Sequence, residues 1–471
     1  MTVDDFRKHA HELVEWMAGY MENVEKYPVK SAVEPGEIFN KIPGSPPIGP
    51  ESFGSLMKDF DEIIMPGITH WQNPSFFAYF PANTSPPSIL AEMITATLGA
   101  QCMIWETSPA AAELEEKMMI WLRELTGLPA ELEGVIQDSA STATLSAILT
   151  ARERATNFKI NNDGSEHAGT LRVYCSGQTH SSVDKAVKIS GIGKRNLVKI
   201  PVREDFSLDP VMLREAIEND RKHGFIPCCV IATIGTTGTT AIDPLRAIGE
   251  ICHENGVWLH VDAAMAGTAL ILPEFQWMID GKEYIDSIVF NPHKWMFTNF
   301  DCSAFFVRDP ESLIKTFEIL PEYLKTRTRG LVNDYRDWGV PLGRRFRALK
   351  LWSVIRSYGA EGLRTKIRYH IEIAAKLAGM IRSEKDFEVL APVVLNVICF
   401  RFKPDGLNET RLNEINEKLN HHLNDSGKMY LTHTVLNGRY TLRIVTGQTN
   451  VTLEHVEKAW ELIKAEARGL V

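Results

Sequence analysis

Between about residues 85 and 350, short apolar β-branched runs alternate with long helical segments, and each run stops at Gly, Asp, Asn or Thr. Examples are GTLRVYCSG, PCCVIATIGTTG, GVWLHVDAAMAG and DSIVFNPHKW, with the helical DPLRAIGEICHENG between two of them. A strand that is apolar on both faces has no side to give to water, so such runs need helices above and below them. The pattern predicts an α/β fold, a mainly parallel central sheet flanked by helices. In sheets of that kind, ligands bind beyond the carboxyl ends of the strands.

The segments on either side of this region have a different texture. Phe6, Leu13, Val14, Met17, Met21 and Val24 recur at helical spacing behind a candidate N-cap, Thr2, and a proline-rich stretch follows. Residues 1–84 therefore read as an N-terminal helical arm without a core of its own, one that packs on something else. Residues 85–355 form the large domain, and 356–471 read as a small C-terminal α+β domain. The charged, aperiodic stretch EILPEYLKTRTRGLVND, residues 318–334, predicts a long mobile loop.

Charge and cysteine content narrow the function classes. With 51 basic and 60 acidic residues the net charge is -9, and no segment concentrates Lys and Arg, which argues against nucleic-acid and anionic-membrane partners. Seven scattered cysteines without a C-x-x-C pair suggest neither a disulfide framework nor a zinc site. The adjacent His421 and His422 do not share a helix face, so no metal is expected there, and SGIGKRN around Lys194 lacks phosphate-loop spacing. A polar N-terminus and the absence of a run of about 18 apolar residues complete the expectation of a cytoplasmic protein.

Four polar residues fall at the expected carboxyl ends of strands: His180, Thr233, Asp262 and Lys294. A lysine, an acid and a ring-bearing histidine are the components of a pyridoxal phosphate site. The amine forms an imine with the cofactor aldehyde, the acid keeps the pyridine nitrogen protonated, and the histidine stacks on the ring. Ser139, Ala140 and Ser141 precede a helical run and could present N–H groups to the phosphate, with Asn291 and His293 adding side-chain donors. Singly, each has a plainer explanation as a strand-end cap, a core histidine or an ordinary N-cap. Their joint order favours the site.

The motifs HWQNPSFFAYFPA, SPAAAELEE, VIQDSAS, THSSVDKA, HVDAAMAG, NPHKW and DWGVPLGRRFRALKLW, spread over nearly the whole chain, together resemble the group II pyridoxal-phosphate amino acid decarboxylases, in their aromatic-L-amino-acid decarboxylase branch. The resemblance implies a fold-type I enzyme and an obligate homodimer with its site near the interface and the arm on the partner. It implies Lys294 as the Schiff-base lysine, Asp262 as the pyridinium partner and His180 as the stacking residue. Ala140, Ser141, Asn291 and His293 look like phosphate contacts, and Thr233 and Ala264 like further cofactor-pocket residues. Tyr323, in LPEYLK, matches a loop tyrosine that closes over the site and donates a proton.

For the substrate ring the resemblance points to Trp71, Tyr79, Phe80 and Pro81, and to Gly343, where a small residue leaves room for an indole. Met265 stands where many animal members have Tyr, and Gln101 and Met103 replace bulkier apolar residues near the ring. The expected reaction converts an aromatic L-amino acid (Trp, Phe, Tyr or dihydroxyphenylalanine) to its arylalkylamine and carbon dioxide. The alternative is the family's oxygen-dependent aromatic acetaldehyde synthase branch, whose members typically alter the loop tyrosine or the stacking histidine. Two weaker readings are an aminotransferase, with Arg443 as a carboxylate clamp, and a non-catalytic scaffold.

Overall fold

The computed structural model describes residues 1–166, 169–319 and 331–470. The chain divides into two compact units, one of Met1–Pro81, Ile373–Leu390 and Ile398–Val471, the other of Ala82–Glu372 and Ala391–Val397.

The larger unit is built on seven strands: β1 (Glu133–Gln137), β2 (Leu171–Ser176), β3 (Leu197–Ile200), β4 (Ile226–Thr233), β5 (Trp258–Asp262), β6 (Ser287–Phe290) and β7 (Ser303–Val307). Their order is β1-β7-β6-β5-β4-β2-β3. Strand β7 runs antiparallel to both neighbours, while β6, β5, β4, β2 and β3 pair in parallel. Every residue of β5, β6 and β7 is buried, as their continuous apolar character requires. The register sets Thr233 opposite Asp262 and Asp262 opposite Val289, so the carboxyl ends of β4, β5 and β6 finish side by side.

Helix Ala140–Ala155 shows how the layers close. Ser139 caps it by accepting the Thr142 N–H at 3.2 Å. Its Ala143, Ala147 and Ala151 are small enough to lie flat on the sheet core around Val173, Cys175, Val289 and Phe305. Gly267 serves the same closeness after β5, because a Cβ there would collide with Cβ of Phe290.

Two polar side chains in this apolar sheet satisfy each other. Ser287 Oγ accepts the indole N–H of Trp258 at 2.9 Å and lies 2.9 Å from His260 Nδ1. Thr144 Oγ1 lies 3.2 Å from His260 Nε2, so both ring nitrogens have a hydroxyl partner. Burial pushes the His260 pKa down to about 4 from 6.5. Because the folded value lies below the unfolded one, this stability is present above pH 6.5 and is lost as the pH falls toward 4. The loss is about 1.4 kcal/mol per pH unit in that window. We expect His260→Gln to be less stable than wild type at pH 7.5 but to lose less on acidification to pH 5.5, read from urea midpoints. Parallel curves for the two proteins would contradict the assignment.

The smaller unit carries a four-stranded sheet, β8 (Phe387–Val389), β9 (Val397–Phe402), β10 (Thr432–Leu436) and β11 (Arg439–Val445), in the order β10-β11-β9-β8. Asn437 and Gly438, with φ of 51° and 79°, make the tight β10–β11 turn. The N-terminal helix Val3–Asn23 starts at a capping box between Thr2 and Asp5, and none of its residues is buried. The aromatic segment after it joins the C-terminal strands: Phe77 N–H donates to Tyr430 O, and Val445 N–H to Phe77 O, both at 3.0 Å.

Candidate active site

Lys294 lies just past the carboxyl end of β6, in the one-turn helix Pro292–Trp295. Asn291 stands before it, where the proline at the first helical position costs no hydrogen bond. The turn is tied down twice: Asn291 N–H donates to Ala264 O, and Lys294 N–H to Asn291 O, each at 2.9 Å. Burial lowers the pKa of Lys294, while Asp262 pulls it back up. An amine pushed toward its neutral form is a nucleophile.

Asp262, 5% exposed, ends β5 and accepts the Ala264 N–H at 3.0 Å. His180 follows β2 and is fixed through Nδ1, which accepts the Ser182 N–H at 3.1 Å. Partial burial lowers its pKa; among nearby charges Asp262 opposes that shift and Lys294 adds to it. The strand order β6-β5-β4-β2 brings the carboxyl ends that carry Lys294, Asp262, Thr233 and His180 into one row, with the Asp262 charge reaching both His180 and Lys294. Thr233, at the end of β4, donates its N–H to Asp243 Oδ2 at 2.7 Å and has its hydroxyl 3.5 Å from that of Thr179.

The phosphate candidates gather around the same ends. Ala140 and Ser141 open helix Ala140–Ala155, and first-turn N–H groups have no acceptor within their own helix. Asn291 is 2% exposed and its Oδ1 has no hydrogen-bond partner among the described residues. An unpaired amide oxygen calls for a donor such as water, whereas phosphate oxygens accept, so the part of Asn291 suited to the phosphate is its Nδ2 group. A depressed lysine, an adjacent acid, a ring beside them, an open helix N-terminus and a buried amide with N–H groups to donate fit pyridoxal phosphate in donor type and in order.

The substrate-side candidates fall in both units. In the smaller, Trp71 and Tyr79 stack with centroids 5.6 Å apart, Tyr79 OH is 3.3 Å from Tyr430 OH, Phe80 lies under the Arg443 guanidinium at 5.7 Å, and Pro81 is buried. Arg443 also donates to Thr432 Oγ1 at 2.8 Å. In the larger, Gln101 Oε1 accepts the Arg344 N–H at 2.7 Å, and a Cβ on Gly343 would sit 3.4 Å from Gln101 Nε2. A cavity of about 350 Å³ opens beside Gln101 and Gly343. Met103 is tied through its carbonyl to Arg336 N–H at 2.9 Å. Met265 is fully buried, and Tyr323 lies outside the described residues.

Sequence reasoning missed three supporting groups: Asp243, which holds Thr233; Ser182, which holds His180; and the Cys302 amide, which donates to His293 Nδ1 at 2.8 Å. Only Ser182 carried a local signal, being two residues from the histidine it holds. Among the described residues no group of His, Cys, Asp and Glu could hold a metal, and no helix is long and apolar enough to cross a membrane.

Comparison with known proteins gives the same chemistry. The family model described as the pyridoxal-dependent decarboxylase conserved domain matches residues 35–403. A phenylacetaldehyde synthase of Petunia hybrida is 43% identical over 98% of this chain and 94% of its own. Tyrosine decarboxylase 3 of Petroselinum crispum is 41% identical over 99% and 94%. The crystal structure of Oryza sativa TDC with PLP and tryptamine superposes with a TM-score of 0.97 at 37% identity, covering 100% of this chain and 99% of that one.

Proposed function

The chain belongs to the pyridoxal-dependent decarboxylase family, and from that premise we propose that it converts an aromatic L-amino acid to its arylalkylamine and carbon dioxide. The observation that carries this reading is the convergence of Lys294, Asp262 and His180 at the ends of neighbouring strands. The relatives named for tyrosine and phenylacetaldehyde, and the solved structure holding tryptamine, support an aromatic substrate.

When bound, pyridoxal phosphate accepts the electron pair left behind as the carboxylate departs. The protein's own residues supply the rest. Lys294, held by its turn and short of solvent, offers the amine that takes the cofactor and later takes it back. Asp262, pinned by the Ala264 N–H, holds a proton on the ring nitrogen. His180, anchored through Nδ1, would offer its ring as a stacking partner that orients the bound cofactor. Ala140, Ser141, Asn291 and His293 hold the phosphate. Tyr323 delivers the proton that ends the reaction on the substrate α-carbon.

The aldehyde-synthase alternative draws support from the 43% identity to a phenylacetaldehyde synthase. Against it stands the retention of both His180 and Tyr323. The discriminating experiment supplies Trp, Phe, Tyr and dihydroxyphenylalanine to the loaded protein and quantifies amine, ammonia and peroxide. Amine in step with carbon dioxide is expected from at least one of the four. Dominant peroxide and ammonia would select the alternative, and no product from any of them would remove the aromatic assignment.

The proposal includes a two-fold dimer. Exposed apolar side chains on helix Val3–Asn23 (Phe6, Val14, Met21) and, in the other unit, on helix Pro86–Leu98 (Leu90, Ile94, Leu98) support it, since faces of that kind are ordinarily covered. Sedimentation of an active monomer would refute it. A reducing, cytoplasmic setting is part of the same reading, supported by seven buried, unbridged cysteines.

A further inference from the structure

His293 is 3% exposed, yet only one of its ring nitrogens has a protein partner. Nδ1 accepts the backbone N–H of Cys302 at 2.8 Å, and the peptide N–H of His293 returns a bond to Cys302 O at 3.2 Å. A peptide N–H can only donate, so Nδ1 must be the unprotonated nitrogen and Nε2 must carry the hydrogen. Nε2–H has no acceptor among the described residues, although it sits next to Lys294 in the same turn. Burial, and after it the charge of Lys294, push the imidazole pKa down to about 3, with Asp301 opposing and Lys350 adding to the shift, so the ring is a neutral donor.

The Cys302 amide owes its position to a brace on both sides. Asp301, one residue earlier, is held bidentately by Arg347, whose Nε and Nη2 reach its two oxygens at 3.0 Å each. On the other side, Ser85 Oγ donates to Phe297 O at 2.7 Å, and Asn299 N–H donates to Ser88 Oγ at 2.8 Å. Glu92, one turn further along that helix, pairs with Arg345 and with Lys350 Nζ, the latter at 2.9 Å. The segment 297–302 is thus clamped between helix Pro86–Leu98 and the start of helix Arg347–Ser383.

We propose that Arg347 and Asp301 are positioning residues: through the Cys302 amide they hold His293 as its Nε2–H tautomer, aimed as a single neutral donor at an oxygen of the cofactor phosphate. The proposal rests on the reading that this site binds pyridoxal phosphate. It separates His293 from any proton-transfer role, because a nitrogen that must stay protonated to donate does not shuttle. It also explains a bidentate guanidinium–carboxylate pair that touches none of the residues assigned to the cofactor or substrate.

The test is a double-mutant cycle read as the dissociation constant for pyridoxal phosphate, measured by fluorescence quenching without substrate. His293→Phe removes the donor and Arg347→Gln removes the brace, and each is expected to weaken binding roughly tenfold. If the brace acts through His293, the double variant binds within about threefold of the weaker single variant; independent effects would multiply to roughly a hundredfold. With pyridoxal, which lacks the phosphate, neither substitution should matter. Multiplying effects, or equal losses with pyridoxal, would overturn the proposal. Should Arg347→Gln fail to fold, Asp301→Asn takes its place with the same expectations. A wild-type protein that does not bind pyridoxal phosphate would instead sink the cofactor reading, so the two failures are distinguishable.

Discussion

Replacing Lys294 by alanine is expected to reduce amine formation by on the order of 10⁴-fold or more while the protein stays folded. The turn that carries the lysine is held by backbone hydrogen bonds and by the fixed φ of Pro292, none of which involves the ammonium. Removing a partly buried amine whose pKa is already depressed relieves a desolvation cost, so melting of the apoprotein should hold steady or rise. Turnover fails because Lys185, the other lysine whose charge reaches His180, is exposed on helix Ser182–Ile189 and not buried at a strand end. Lys350, the other described lysine with a depressed pKa, lowered to about 8, is paired with Glu92 instead. A variant keeping a tenth of wild-type activity would remove Lys294 from the reaction.

The second large effect concerns which product leaves. Tyr323→Phe is expected to keep cofactor and substrate affinity, since a ring of the same shape remains, and to lose the phenol proton. Without a donor at the substrate α-carbon, the electron-rich state that follows loss of carbon dioxide persists long enough to react with dioxygen. Dioxygen then takes two electrons and two protons to become hydrogen peroxide, and water hydrolyses the resulting imine to aldehyde and ammonia. Amine yield should fall by about 10²-fold, the usual range for losing a positioned acid, with peroxide rising in step with aldehyde. Equal amine yield from mutant and wild type would exclude Tyr323 as the donor.

How much of this is legible in the sequence depends on the range of the interactions involved. The sheet was legible because strands buried on both faces write an unbroken apolar run, and the ends of β4, β5 and β6 appear as Thr233, Asp262 and the Asn291–Lys294 turn. The capping box at Thr2 and Asp5 is local and was half visible through Thr2. By contrast, the tie between Asp243 and the Thr233 amide depends on how the chain returns after β4, and that between Cys302 and His293 on an antiparallel strand folding back beside β6. Neither leaves a periodic trace. The aromatic run from Trp71 to Pro81 carries no local trace of its partners; its pairing with Tyr430 and Arg443 comes from opposite ends of the chain. The substrate-side roles of Gln101, Met103 and Gly343, and the whole of Tyr323, rested on family resemblance alone.

The central claim is that Lys294 is the residue that takes the cofactor. Borohydride reduction of the protein loaded with pyridoxal phosphate converts that linkage to a permanent one, and digestion followed by mass spectrometry locates it. The account predicts one reduced pyridoxyl group, on the peptide containing Asn291–Trp295 and specifically on Lys294, with none on Lys294→Ala treated in the same way. A label on Lys350 or another lysine, or no label on a protein that forms amine, would contradict it.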